Sequence, residues 1–168
     1  MSFLFHQFTS QTFYAQGGIY LTNTDSQALK NGDPLQKAID GLLGSGNSCV
    51  GYAADGSLAF TSTENGVRPL MERIDSLRGI YVADKVIGKA AACVMIFHGV
   101  AACHGLVMSE AAAKLLGESG VPFSYGEMVP FIQNRDGTGM CPMERAVEGA
   151  AGAEEGFEAV RGFLGAQK

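Results

Sequence analysis

The sequence has few basic residues and no long apolar run, and both absences argue against whole classes of partner. Its 168 residues include 12 Lys and Arg against 17 Asp and Glu, a formal net charge of -5, and the basic residues are not clustered. Because polyanion binding depends on many cationic contacts to phosphate, we expect no nucleic acid polymer as partner. The longest apolar run, 90–97, falls well short of the ~20 residues of a membrane-spanning helix, so we expect no membrane partner.

Signals for secretion and for cross-linking are also lacking. The first residues have no basic start and no small-residue cleavage site, so a signal peptide is not expected. The four cysteines have no CxxC spacing. In a reducing compartment they are interpreted as free thiols. The sequence therefore predicts a cytoplasmic protein without disulfides and without a cofactor.

The composition is that of a globular chain, with 46% hydrophobic and 17% charged residues. A chain of this size buries roughly 70% of the surface that its unfolded form exposes, so it can fold stably without a disulfide or a structural metal. Residues 1–32 are rich in Phe, Tyr, Gln and Thr and show poor periodicity. They form a predicted N-terminal extension, either an edge strand or an oligomer arm, and the second option would make the protein a homo-oligomer. Residues 33–168 form one predicted domain.

The pattern of elements predicts an α/β fold. Asp33-Pro34 is a typical helix start, and Asp55-Gly56 predicts a tight hairpin between strands 49–53 and 57–61. A further helix is expected through 69–77. Strands and helices then alternate over 80–83, 84–97, 100–107, 109–118 and 121–125, with later helices from 142 and over 155–164. Such alternation implies parallel later strands, a sheet covered on both faces, and the hairpin at or near one end.

Two predicted helix starts carry charged residues that could form a site, because helix N-termini after parallel strands converge on one crevice. Asp84 and Lys85 open the first, with Lys89 one turn further on. Ser109 and Glu110 open the second, as an N-cap and a first-turn acid. We predict that Lys85 and Glu110 lie close together and could be catalytic, whereas Asp84, Lys89 and Ser109 would bind ligand. A structural salt bridge for Lys85 and simple helix stabilisation by Glu110 remain open alternatives.

The glycine-rich loop before the helix at Pro142 is the third predicted part of the site. Cys141 stands at an expected N-cap, where helix-end amides and a nearby Arg135 would favour the thiolate, although Glu144 would oppose it. Cys141 is therefore a candidate nucleophile or redox group, with turn packing as the alternative. Three loop residues are candidate ligand-binding groups: Asn134, Arg135 and Asp136.

No metal site is expected. Cys103 and His104 are adjacent, and adjacent residues of a strand point to opposite faces, so they cannot share one ion. No second ligand pair has suitable spacing.

From about residue 33 to 148 the sequence resembles an uncharacterised bacterial and archaeal family, domain of unknown function 1893. Three segments carry the likeness: 64–70 (ENGVRPL), 82–92 (VADKVIGKAAA) and 134–144 (NRDGTGMCPME). The resemblance implies a cytidine-deaminase-like fold, a three-layer α/β/α sandwich with a mixed sheet. Zinc deaminases need His and Cys ligands at two helix starts, which this sequence lacks, so we expect no zinc and no deaminase activity.

Two functions follow as hypotheses. In the first, the protein binds a small anionic or nucleotide-like molecule in the crevice, with chemistry that depends on Cys141. In the second, it is a non-catalytic interaction or regulatory module that uses the N-terminal extension as its contact surface. Fold alone does not decide between them.

Overall fold

The computed structural model describes residues 32–166 of the chain, so the predicted N-terminal extension lies outside it except for its last residue. The elements, in chain order, are α1 (Pro34–Gly44), β1 (Cys49–Tyr52), β2 (Leu58–Ser62), α2 (Arg68–Met71), a 3-10 helix (Ile74–Ser76), β3 (Tyr81–Ile87), α3 (Lys89–Phe97), β4 (Ala102–Ser109), α4 (Glu110–Glu118), β5 (Phe123–Val129), α5 (Pro142–Ala146) and α6 (Ala153–Gly165). Within 32–166, no helix is long and apolar enough to cross a membrane.

The protein has an α/β fold built on a five-stranded mixed sheet with the strand order β2-β1-β3-β4-β5. β1 pairs antiparallel with both β2 and β3, whereas β3, β4 and β5 are parallel. The predicted hairpin lies at one edge of this sheet, as expected. Its turn uses Gly56 at a φ of 80°, a left-handed conformation that favours glycine.

Hydrophobic residues cover both faces of the sheet. Val82 belongs to the larger cluster and its neighbour Ala83 to the smaller one, because successive strand residues point to opposite faces. The smaller cluster lies under α1, which begins at the predicted place because Asp33 Oδ1 accepts a hydrogen bond from the Leu35 N–H at 2.8 Å. The larger cluster lies among α3, α4 and α6.

The helix predicted over 84–97 is wrong in its first part. β3 continues to Ile87, and α3 begins only at Lys89, with Gly88 as its N-cap. Asp84 pairs with Cys49 of β1 and with Gly105 of β4, and the Lys85 N–H donates to the Ser48 carbonyl at 2.9 Å. Sheet pairing on both sides therefore overrides the local signal of an acid followed by an apolar run. β4 and β5 likewise end later than predicted, at Ser109 and Val129.

Candidate functional site

Two segments that are far apart in the sequence meet at one cavity of about 540 Å³. One is the segment before α2, and the other is the loop between β5 and α5. The end of α6 closes the third side. The residues lining the cavity are Asn65, Gly66, Val67, Arg68, Gln133, Asn134, Arg135, Asp136, Cys141, Pro142, Met143, Phe163 and Leu164.

The loop between β5 and α5 is held in shape by its own hydrogen bonds. Its two arms are joined by a bridge between Gln133 and Met140 and by a 2.8 Å bond from the Cys141 N–H to the Ile132 carbonyl. The Asn134 side chain spans the tip, where its Oδ1 accepts from the Thr138 N–H at 2.9 Å. Asn134, a predicted ligand-binding residue, is thus engaged in holding the loop. This rigid turn presents the next two residues, Arg135 and Asp136, to the cavity.

The cavity carries two arginines. Arg68 and Arg135 are both exposed, and neither forms an ion pair with any residue of the described range 32–166. Asn65 is positioned beside the Ser48 hydroxyl, whose oxygen lies 3.0 Å from the Thr63 carbonyl oxygen and 3.1 Å from Asn65 Oδ1. Asp136 supplies a carboxylate at the same rim. The cavity therefore offers hydrogen-bond donors and positive charge together with one carboxylate.

The cavity also has apolar lining residues. Phe163 and Leu164 come from the last turn of α6, and Val67 and Met143 line the same cavity. α6 is fixed there because Phe157 stacks on Phe97 of α3 with ring centroids 4.6 Å apart. The cavity therefore joins a polar, cationic side to an apolar side, as sites for small organic ligands commonly do.

The cavity lies within the part of the chain that is similar to known proteins. The sequence profile described as TM1506, domain of unknown function DUF1893, matches residues 37–164. The chain belongs to this family. Every residue that lines the cavity falls within the match, which also extends through most of α6, beyond the region of resemblance predicted from the sequence.

One solved structure is similar to this DUF1893 chain along most of its length. It is the crystal structure of a DUF1893 family protein from Thermotoga maritima, with 33% sequence identity and a TM-score of 0.70. The similarity covers 79% of this chain and 89% of that chain. No curated protein matches the sequence.

Not all of the predicted site residues of the DUF1893 domain come together. The cavity contains Asn134, Arg135, Asp136 and Cys141, but it does not contain the other five, Asp84, Lys85, Lys89, Ser109 and Glu110. Three polar side chains of the cavity were not predicted as site residues: Asn65, Arg68 and Gln133. The first two lie in the segment 64–70 that carries part of the family resemblance, and this was the signal that could have found them.

The backbone N–H groups at the start of α3 are bound by a side chain from a later segment of the chain. Glu144, which is only 7% exposed, accepts hydrogen bonds from the Lys89 N–H and the Ala90 N–H, each at 3.0 Å. The Lys89 ammonium donates to the carbonyls of Glu148 and Ala150, each at 2.9 Å. Lys89, predicted to bind ligand, is therefore engaged with the segment after α5. An anion site at this helix end is filled by Glu144.

The start of α4 is a capped helix end. Ser109 is buried, and its Oγ accepts from the Ala112 N–H at 3.2 Å, so its predicted capping role is confirmed. Glu110 is exposed in the first turn. Lys85 lies within β3 rather than at a helix start, so the predicted pair of facing helix starts is not formed, and Lys85 makes no ion pair with Glu110.

Asp84 is buried on the α3 face of the sheet. It is 5% exposed, and its Oδ1 accepts from the Val86 N–H at 3.0 Å. Burial raises the pKa of Asp84 to about 6, although the hydrogen bonds from the Val86 N–H and from the Cys49 thiol oppose this rise. Asp84 is therefore a core group rather than part of the cavity.

Cys103 and His104 point to opposite sides of β4, as predicted. Cys103 is buried in the larger core, whereas His104 Nδ1 lies 2.7 Å from Ser124 Oγ, and burial lowers the pKa of His104. Within 32–166 no group of three or more His, Cys, Asp or Glu residues could hold a metal ion.

Cys141 is the one cysteine of the four that is not buried. Burial raises the pKa of Cys93 to about 11 and that of Cys103 to about 12, and it raises the pKa of Cys49 well above the ordinary range. We expect iodoacetamide at pH 8 to alkylate Cys141 at least ~10-fold faster than the others, since both thiolate fraction and access control the rate. Mass spectrometry of the native protein measures each site. Equal labelling of all four cysteines would contradict the expectation, and Cys141→Ser should abolish the fast phase.

Proposed function

We propose that this DUF1893 protein binds a small anionic or nucleotide-like ligand in the cavity between the segment 65–68 and the loop 133–136. The observation that carries the proposal is the pair of arginines, Arg68 and Arg135, which line one cavity without an ion-pair partner among the described residues. Two unpaired guanidinium groups beside one concave surface favour phosphate or carboxylate, which each can bind with a two-pronged set of hydrogen bonds.

The neighbouring groups support an organic anion over an inorganic one. Asp136 can accept a hydrogen bond from a ligand hydroxyl or amino group, and Asn65 can donate from its amide. The wall formed by Phe163 and Leu164 removes apolar ligand surface from water. Cys141 lies at the edge of the same cavity, where it would act as a nucleophile or redox group toward the bound molecule.

We further propose a cytidine-deaminase-like, three-layer arrangement for the domain. The sheet order, the parallel strands β3 to β5 and the placement of helices on both faces support this. In such an arrangement the starts of α3 and α4, Gly88-Lys89 and Ser109-Glu110, would correspond to the helix starts that hold zinc in deaminases. They supply no His or Cys, so the donor set does not fit zinc, and the proposed function involves no zinc-bound hydroxide.

The proposal is tested by a thermal-shift screen of nucleotides, phosphorylated metabolites and organic acids. A ligand at 100 times its Kd stabilises the folded state by about 2.7 kcal/mol, which raises the Tm by roughly 5–10 °C in a chain of this size. We expect Arg68→Gln or Arg135→Gln to lower the affinity for a hit about 10- to 100-fold, because each removes a charge-assisted hydrogen-bond donor.

Arg145→Gln is the matched control for these variants. Arg145 is an exposed arginine of α5 that does not line the cavity. If the control weakens binding as much as Arg68→Gln and Arg135→Gln do, the cavity is not the site. If no small anion shifts the Tm of the wild type, the proposal fails and the interaction-module hypothesis is favoured.

A further inference from the structure

We infer that the ligand is an amphipathic acid, with an apolar body that lies in a second cavity beside the arginine-lined one. The inference rests on the proposed function and narrows its ligand class. The second cavity has a volume of about 410 Å³. Its walls include Val86, Val107 and Val129, together with Phe131 and Ile132.

The second cavity lies at the end of the sheet where α/β proteins bind ligands. Val86, Val107 and Val129 stand at or near the carboxyl ends of three neighbouring parallel strands, β3, β4 and β5, and Val86 is paired directly with Val107. In open α/β sheets the ligand crevice forms outside these strand ends. The second cavity therefore lies at the strand ends from which such a crevice is built.

The side chains of this cavity are left partly open to solvent. Val86 is 39% exposed and Phe131 is 38% exposed, two of the five large hydrophobic residues that are exposed within 32–166. Single exposed apolar residues are ordinary, but here two of them line one concave surface with three further aliphatic side chains. An apolar ligand would remove this surface from water.

The two cavities share one lining residue, Gln133. The bridge between Gln133 and Met140 holds this residue in place, and Arg135, two positions later in the chain, lines the first cavity. A single molecule that passes Gln133 can therefore place its anionic group at Arg68 and Arg135 and its body against Val107.

The side chains of the second cavity determine which uncharged group of a ligand can bind there. Gln133 is its one polar side chain. A nucleobase carries several hydrogen-bonding groups on its edge, and most of them would lose water without gaining a partner there. An acyl chain or an unsubstituted aryl ring has no such cost. The expected ligand is thus an acyl or aryl phosphate or carboxylate.

The test compares three probes by thermal shift and by titration calorimetry: hexyl phosphate, inorganic phosphate and AMP. Hexyl phosphate carries the anionic group and an apolar body, phosphate carries the anionic group alone, and AMP replaces the apolar body by a nucleobase. We expect wild-type protein to bind hexyl phosphate about 10-fold or more tightly than phosphate or AMP, since several buried methylene groups favour the complex.

The variant for the second cavity is Val86→Thr/Val107→Thr, which keeps β-branched side chains of the same shape but replaces one methyl group of each by a hydroxyl. It should weaken hexyl phosphate binding about fivefold to 20-fold and leave phosphate binding unchanged. Leu58→Thr is the control, because Leu58 is 56% exposed on the edge strand β2 and lines neither cavity. If the double variant does not fold, Val86→Thr alone, at the more exposed site, replaces it.

The outcomes separate the two proposals. Equal binding of hexyl phosphate and phosphate, both weakened by Arg68→Gln or Arg135→Gln, overturns the inference and leaves the proposed function standing. Tighter binding of AMP than of hexyl phosphate also overturns the inference. Binding of no probe overturns the inference, whereas binding that neither arginine variant changes contradicts the proposed function and the inference with it.

Discussion

Replacing Glu144 with alanine is expected to lower the free energy of unfolding by about 3–5 kcal/mol, because two charge-assisted hydrogen bonds are lost and their donors stay buried or half-buried. The carboxylate accepts from the Lys89 and Ala90 N–H groups at the start of α3. The N-cap residue, Gly88, has no side chain that could take the place of this carboxylate.

The measurement is thermal or urea unfolding of purified Glu144→Ala, and the Tm should fall by roughly 10 °C for a domain of this size. Glu144→Gln keeps one acceptor oxygen and should lose about half as much. Gly88→Ala should disturb the same hydrogen bonds, because an added Cβ would overlap the Glu144 carboxylate.

Glu110→Gln is the control for the loss of one acid from a helix start. Glu110 is exposed in the first turn of α4, so its interaction with the helix dipole contributes at most about 1 kcal/mol. If Glu144→Ala and Glu110→Gln unfold at the same temperature, the carboxylate of Glu144 does not cap α3 in solution.

The second large effect is a gain of stability. Asp84→Asn should raise the Tm by several degrees at pH 7.5, because asparagine keeps a carbonyl acceptor for the Val86 N–H and cannot become charged in the core. Burial raises the pKa of Asp84 from its ordinary 3.8 to about 6 in the folded protein. That rise corresponds to about 3 kcal/mol of preference for the protonated form.

The pH dependence of this effect has a definite sign. Since the folded-state pKa is the higher one, folding takes up a proton between about pH 4 and pH 6. The stability linked to protonated Asp84 is fully present below pH 4 and is lost as the pH rises through 6. The advantage of Asp84→Asn should therefore be largest above pH 6 and should disappear at pH 4.

Unfolding curves of wild type and variant at pH 4, 5, 6 and 7.5 check this prediction. The contributions of other titrating groups cancel in the difference between the free energies of unfolding of the two proteins. Asp40→Asn, at an exposed position of α1, controls for the removal of one carboxylate. A constant difference between wild type and Asp84→Asn over this pH range would show that Asp84 does not titrate near pH 6.

Several elements were determined by short stretches of sequence. Asp33-Pro34 set the start of α1, Asp55-Gly56 set the hairpin turn, and Ser109 capped α4, all as predicted. In each case the deciding hydrogen bond or backbone angle lies within a few residues of the signal. Local sequence therefore decided these features, and with them the α/β class and the edge position of the hairpin.

The tertiary structure determined where the charged residues lie and which groups they contact. An Asp side chain can accept a hydrogen bond from the N–H two residues later both at a helix cap and in a strand. Only pairing with β1 and β4 placed Asp84 inside the sheet. Glu144 caps a helix whose start is 55 residues earlier in the chain. Arg68 and Arg135 share a cavity only because α2 and the loop before α5 pack at the same place. A local pattern cannot specify these outcomes, because the partner that fixes each charge comes from a distant segment.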